Sequence, residues 1–222
     1  MTQQASLLEI SDPRNLLAEL PKREIAIVEF GCGERKQSSD CVGVDLLDLP
    51  GVDIVGDAFQ VLLRLPDASL SEIRSSHFLE HVDDLRGLLG EFSRVLRPGG
   101  TIDAVVPHFA NPYFYSDPTH VRFFGLYTLS YFAHDQIHKR TVPQYEAPLP
   151  LTLIRADLRF KTLTGGKLNK KLLKILTRLV NSTAGTREFH EKNLCYILPC
   201  YEIHFTLEKD ASTGQPPFAT ED

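Results

Sequence analysis

The sequence predicts an α/β protein in which helices cover both faces of a mostly parallel sheet. Three observations indicate this fold class. Short apolar runs alternate with helical segments, the connections between them are short, and a glycine-rich turn follows the first run. The turn lies in the segment Val28-Glu29-Phe30-Gly31-Cys32-Gly33-Glu34.

The length and composition fit one domain over residues 1–209. The chain has 222 residues, of which 42% are hydrophobic and 24% are charged, as in an ordinary soluble globular protein. Residues 210–222 are polar and are expected to be a disordered tail. No secretory signal or long apolar run is present, so we expect a cytoplasmic protein with reduced cysteines. A net charge of −5 gives no reason to expect nucleic-acid binding.

The first two predicted strands frame a candidate ligand site. Residues 25–28 form an apolar run, after which Gly31 and Gly33 let the backbone turn and approach a ligand closely. A second strand, residues 41–44, ends in Asp45. A carboxylate there can accept two hydrogen bonds from a ribose diol. We therefore predict a nucleoside-containing cofactor over these two strands.

The alternation of elements continues through residue 106. A short strand at 52–55 is ended by Gly56-Asp57-Ala58, and a brief helix at 59–65 and a weaker strand at 72–76 follow. The clearest helix, residues 82–96, has leucines and other apolar residues at helical spacing, with Asp83 and Asp84 in its first turn. Pro98-Gly99-Gly100 ends it, and residues 101–106 are the next strand.

The last third has a different composition. Predicted strands at 158–164 and 195–208 flank an amphipathic helix at 168–180. Residues 155–192 hold ten basic and three acidic residues, so this basic helical insertion carries +7 and the remainder −12. Three interpretations of the basic residues at 167–178 stay open: an ordinary surface helix, a cover that attracts an anionic acceptor, or a peripheral contact with an anionic membrane.

Five motifs occur in the order and spacing of one enzyme family. They are Glu29-x-Gly31-x-Gly33, Asp45, Gly56-Asp57-Ala58, the segment 77–82 and the segment 94–100. With them the chain resembles the class I S-adenosylmethionine-dependent methyltransferases. It is most similar to a bacterial branch with Pro107-His108-Phe109 and Ser116-Asp117-Pro118-Thr119-His120-x-Arg122-Phe123-Phe124. The resemblance implies a Rossmann-like, seven-stranded sheet whose last strand is antiparallel, formed here by residues 158–164 and 195–208.

The resemblance also implies the cofactor, S-adenosyl-L-methionine, and its contacts. Asp45 would hold the ribose hydroxyls, Leu46 would pack on adenine, and Asp57 would accept from the adenine amino group. The full set of implied cofactor contacts is Glu29, Gly31, Cys32, Gly33, Asp45, Leu46, Asp57, Ala58, Ser76 and His77.

The aromatic loop from residue 107 to 131 is the predicted place of the chemistry, because ligands of open α/β sheets bind beyond the carboxyl ends of strands. Methyl transfer to a hydroxyl needs a group that removes a proton, and histidine suits that task near neutral pH. His108 and His120 are the candidate bases, and Asp117 could orient one of them or accept the proton. In the alternative interpretation, Asp117 and His120 only stabilise the loop.

The expected function is O-methylation of a small molecule or a saccharide, the latter lipid-linked or acidic, as in polysaccharide biosynthesis. Two alternatives stay open. One is a non-catalytic subunit that binds S-adenosylmethionine. The other is a zinc hydrolase, because His77, Glu80 and His81 satisfy the H-x-x-E-H pattern. The zinc interpretation requires the whole segment to be helical, whereas it directly follows a predicted strand, so we expect no metal site.

Overall fold

The fold is an α/β sheet flanked by helices. The computed structural model describes residues 9–135, 137–161 and 167–211. Within them the strands are β1 (Ile27–Phe30), β2 (Val42–Asp45), β3 (Ile54–Val55), β4 (Leu70–Ser76), β5 (Leu96–Pro107), β6 (His134–Asp135), β7 (Leu151–Arg159) and β8 (Glu202–Lys209). The helices are α1 (Leu16–Glu19), α2 (Ala58–Arg64), α3 (Leu85–Val95), α4 (Lys167–Val180) and α5 (Ala184–Asn193).

The described strands form one sheet in the order β3-β2-β1-β4-β5-β8-β7-β6. All neighbouring pairs are parallel except those of β8, which runs antiparallel to β5 and to β7. The predicted fold class, including the antiparallel last strand, is therefore confirmed. The sheet has eight strands rather than seven because the two-residue strand β6 pairs with β7.

Helix α3 shows how the apolar pattern builds the core. Its side chains at positions 85, 88, 89, 92 and 95 are buried on one face. The Asp84 carboxylate caps the helix by accepting from the Gly87 N–H at 2.8 Å, so the helix begins three residues later than predicted. Phe92 stacks on Phe30 of β1, with ring centroids 5.2 Å apart. This contact joins the helix to the centre of the sheet.

Two predictions for the last third were wrong. The strand expected at 158–164 is β7, residues 151–159, in which buried and exposed side chains alternate on either side of an irregularity between Leu153 and Arg155. The strand expected at 195–208 begins only at Glu202, and helix α5 was not predicted. Thr183 caps α5 in a reciprocal capping box with Thr186. Most of the predicted tail, residues 212–222, lies outside the described residues.

Within the described ranges, no helix combines the length and apolar character needed to cross a membrane.

Replacing Phe92 by alanine is expected to lower the free energy of unfolding by about 3–5 kcal/mol, because the side chain is fully buried and leaves a cavity. Phe189→Ala is the matched control: the same atoms are removed from a side chain that is 59% exposed. The control should change stability by less than about 0.5 kcal/mol. Urea unfolding of both variants checks the difference, and equal losses would show that Phe92 is not a core residue.

Candidate functional site

The glycine turn after β1 is held in a conformation that favours glycine. Gly31 and Gly33 have φ angles of +68° and +56°. The Gly31 N–H donates to the Val44 carbonyl at 2.9 Å, which ties the turn to β2. A Cβ atom on Gly31 would lie 2.7 Å from the Phe78 Cβ. The turn can therefore keep this close approach only while residue 31 has no side chain.

Asp45, at the end of β2, faces this turn. Its Oδ2 accepts from the Gly33 N–H at 2.9 Å and its Oδ1 from the Leu47 N–H at 3.0 Å. An ionised carboxylate has about four acceptor positions, so both oxygens can still accept further hydrogen bonds. Leu46 is 54% exposed and Leu47 is also exposed, which leaves an apolar surface beside the carboxylate.

Asp57 lies at the next strand end. Its Oδ1 accepts from the Gln60 N–H at 3.1 Å and caps α2, whose first residue is Ala58. The Gly56 N–H donates to the Asp45 carbonyl at 2.9 Å, which joins the ends of β2 and β3. Two carboxylates, an apolar surface and an open glycine turn thus lie along one edge. The carboxylates, the apolar surface and the glycine turn together fit an adenosine group with an attached amino acid.

Two residues of the predicted cofactor set have side chains directed into the protein. The buried Glu29 carboxylate accepts from the Gln37 N–H at 2.8 Å and from the Cys41 thiol at 3.4 Å. The Cys32 thiol is buried near the Gly51 carbonyl, and burial raises its pKa to about 12. These side chains support the loop between β1 and β2, and for Cys32 only the backbone can reach a ligand.

His77 follows Ser76, the last residue of β4, and has an unusual environment. Its φ angle is +53°, which is strained for a residue with a side chain. Its Nε2 lies 3.0 Å from Glu202 Oε1 and its Nδ1 lies 3.3 Å from Glu80 Oε1. The hydrogen bond with Glu202, followed by the contact with Glu80, raises the pKa of His77 to about 9. His77 is therefore an imidazolium at neutral pH.

Glu202 connects this histidine with the other half of the sheet. It begins β8 and pairs with Pro107 of β5 and Arg159 of β7. Burial alone would raise the pKa of Glu202, but contacts with His204, His77 and Lys161 lower it below its usual range. Glu202 was not among the predicted site residues. The strand pattern, with apolar residues at 203, 205 and 207, places Glu202 on the opposite and more polar face, so the pattern did not indicate its burial.

His108 is fully buried and both of its ring nitrogens are used. Its Nδ1 accepts from the Ala110 N–H at 3.0 Å, and its Nε2 donates to Glu191 Oε2 at 3.1 Å. Glu191 lies on α5 and also accepts from the Leu126 N–H. In this arrangement His108 joins the aromatic loop to α5, and it has no free nitrogen for a substrate.

His120 lies on the same loop in a different environment. Its Nδ1–H donates to the Phe114 carbonyl at 2.8 Å, so in the neutral ring the lone pair is on Nε2. That Nε2 lies 3.7 Å from Asp117 Oδ2 and 4.0 Å from Glu80 Oε1. Hydrogen bonds from Thr119 lower the pKa of Asp117. The structure thus brings His120 and Asp117 together beside His77 and Glu80, and it separates them from His108.

The H-x-x-E-H segment does not form the helix that a zinc hydrolase requires. Strand β4 ends at Ser76, and Leu79–His81 form a single 3₁₀ turn. The residues that come together are instead Glu80, His81 and His120, whose candidate ligand atoms lie within 4.8 Å of one another. Two ligands bound at about 2.1 Å can be at most about 4.2 Å apart, so these groups would have to move closer to hold an ion.

Comparisons with known proteins agree with this site. Residues 28–103 match the family model described as a methyltransferase domain. No curated protein matches the chain. Among solved structures, the chain is similar to a SAM-dependent methyltransferase from Archaeoglobus fulgidus, with 16% identity and a TM-score of 0.51 over 88% of this chain and 93% of that one.

A second structure is similar over a comparable length. It is a methyltransferase in complex with the Trm112 activator from Haloferax volcanii, with 14% identity and a TM-score of 0.50 over 90% of this chain and 89% of that one. At these identities the likeness shows a common fold. The domain match covers the glycine turn and both carboxylates, so residues 28–103 form a methyltransferase domain.

The charge on His77 makes stability depend on pH on the alkaline side. Its pKa is raised from 6.5 to about 9 in the folded protein. The stabilisation is therefore complete below about pH 6.5 and is lost as the pH rises through about 9. Urea unfolding across this range should show the decline in the wild type and a flatter profile in His77→Gln. Identical profiles for the two proteins would contradict the assignment.

Proposed function

We propose that this S-adenosylmethionine-dependent methyltransferase methylates a hydroxyl oxygen of a saccharide acceptor. The observation that carries the proposal is the aromatic surface around His120. Tyr113, Tyr115 and Phe123 are each half or more exposed, and the Tyr115 and Phe123 rings lie 6.1 Å apart. Exposed aromatic clusters mark binding surfaces. Aromatic rings pack well on the apolar face of a pyranose. His120, the proton acceptor in this proposal, lies beside these rings.

The cofactor is held, in this proposal, along the ends of β1, β2 and β3. The backbone of Gly31 and Gly33 receives its amino-acid portion, Asp45 accepts from the ribose hydroxyls, and Asp57 accepts from the adenine amino group. Leu46 packs on the adenine ring and Ala58 donates from its backbone. When bound, the cofactor supplies an electrophilic methyl group on a sulfonium.

The end of β4 would then adjoin the reacting centre. In this proposal, Ser76 and His77 face the space between the cofactor edge and the aromatic loop. Because His77 is protonated, it donates hydrogen bonds and cannot take the proton from the hydroxyl of the methyl acceptor. Its role in the proposal is to hold Glu80 and Glu202 in place at this edge.

Two neighbouring groups can take the proton from the acceptor hydroxyl. His120 presents Nε2, the ring nitrogen that does not bond the Phe114 carbonyl, and Asp117 lies 3.7 Å from that atom. We place the general base at His120, with Asp117 stabilising the imidazolium that forms. The burial of His108 and its bonds to Ala110 and Glu191 favour His120 over His108 for this role.

The Asp45→Asn variant is expected to weaken binding of S-adenosylhomocysteine by about tenfold or more, because a neutral amide accepts fewer hydrogen bonds from the ribose. Isothermal calorimetry measures the affinity. Asp48→Asn is the matched control, since it removes the same charge from an exposed neighbour. Equal affinities of the wild type and Asp45→Asn would contradict the proposed ribose contact.

The His120→Asn variant is expected to lower methyl transfer by about 10²–10⁴-fold, the usual contribution of a general base. Transfer of labelled methyl to a panel of neutral, acidic and phosphorylated saccharides measures this rate. Binding of S-adenosylhomocysteine should be unchanged, which separates chemistry from cofactor binding. His134→Asn, an exposed histidine outside the loop, is the control. If the His120→Asn enzyme keeps its activity, His120 is not the general base.

A further inference from the structure

A cavity with a strongly positive lining lies between the end of β7 and helix α4. Its volume is about 600 Å³. The cationic residues that line it are Arg159 and Lys161 at the β7 side and Lys174 and Arg178 on α4, and Thr177 also lines it. Among the described residues, no acidic side chain contributes to this lining. Such a surface attracts anions and concentrates them at the opening.

The cavity lies at the same edge of the sheet as the cofactor site. Strand β7 is antiparallel to β8, and β8 is antiparallel to β5, so β7 and β5 point the same way. Their carboxyl ends therefore meet at one edge. Lys161 makes an ion pair with Glu202, and Glu202 contacts His77 at 3.0 Å. The cavity is thus adjacent to the end of β4.

Several donors of the cavity have no partner in the described part of the chain. Arg159 lines this cavity and also a second one that Arg155 and His204 line, and its buried Nε makes no hydrogen bond in the described residues. Neither Lys174 nor Arg178 forms an ion pair with a described acidic residue. A buried guanidinium N–H without an acceptor is costly, and a bound anion would satisfy it.

We propose that this cavity binds a phosphate or pyrophosphate group of the methyl acceptor. The inference rests on the proposed function and names its substrate class: a saccharide joined to phosphate. Guanidinium groups bind phosphate through paired hydrogen bonds, and lysines add charge. The volume is sufficient for a phosphate with part of the attached sugar, which then extends toward the aromatic loop.

The outer face of α4 indicates a lipid as one source of the phosphate. Leu172, Ile175 and Leu179 are exposed and recur at helical spacing, so they form an apolar stripe. The helix has five basic and no acidic residues over positions 167–180. An apolar stripe beside basic residues is the pattern of helices that lie on anionic bilayers. A free phosphate ester and a lipid-linked one present the same group to the cavity.

Binding measurements on the full chain test the proposal with two probes. Inorganic pyrophosphate is titrated by calorimetry, and phosphatidylcholine vesicles with and without phosphatidylglycerol are tested by co-sedimentation. The cavity variant is Lys174→Gln with Arg178→Gln. The control variant, Lys22→Gln with Lys192→Gln, removes the same charge from exposed residues elsewhere. Calorimetry with S-adenosylhomocysteine on every variant reports the cofactor site separately.

We expect pyrophosphate to bind the wild type and the control equally, and the cavity variant roughly tenfold more weakly. This outcome supports a soluble phosphate. Binding only to vesicles with phosphatidylglycerol, lost in the cavity variant and weakened by Ile175→Ser, supports a lipid-linked phosphate. Absence of binding to both probes, or equal weakening in the control, overturns the proposal. If S-adenosylhomocysteine does not bind the wild type, the result contradicts the proposed function instead.

Discussion

The common direction of the parallel strands is the constraint on which the site depends. Because β1, β2, β3, β4 and β5 all run the same way, the residues that follow them meet at one edge of the sheet. Strand β8 runs in the opposite direction, so its first residue, Glu202, lies at that same edge. Residues far apart in sequence, such as Asp45, His77 and Glu202, therefore share one surface without any of them being on a flexible tip.

Two buried glutamates, Glu80 and Glu202, lie at this edge beside the aromatic loop. Glu80 and Glu202 are almost inaccessible to water, and the imidazolium of His77 lies between them. Removing a carboxylate from water is costly unless a positive charge is nearby, so His77 offsets the burial of both. The backbone carbonyl of Glu80 accepts from the N–H groups of Val121 and Arg122. The same residue thus neutralises His77 and positions the loop that presents His120.

Local features of the sequence indicated the glycine turn and the two carboxylates that the structure brings to one edge, and distant contacts decided the rest. Gly31, Asp45 and Asp57 lie within short strand–turn units whose chemistry is readable from neighbouring residues. The burial of His108 depends on Glu191, which lies 83 positions away on α5. Helix α5 itself has few apolar residues, and its contacts include the Thr183–Thr186 capping box and the bond of Glu191 to the loop. No periodicity could reveal such contacts.

Hydrogen exchange with and without S-adenosylhomocysteine tests the central claim most directly, namely that the cofactor lies across the carboxyl ends of β1, β2 and β3. We expect the ligand to slow amide exchange at residues 31–33, 45–47 and 57–60, while β6 and β7 remain unchanged. Bound ligand that leaves these three segments unprotected, or that protects another edge of the sheet, would contradict the account.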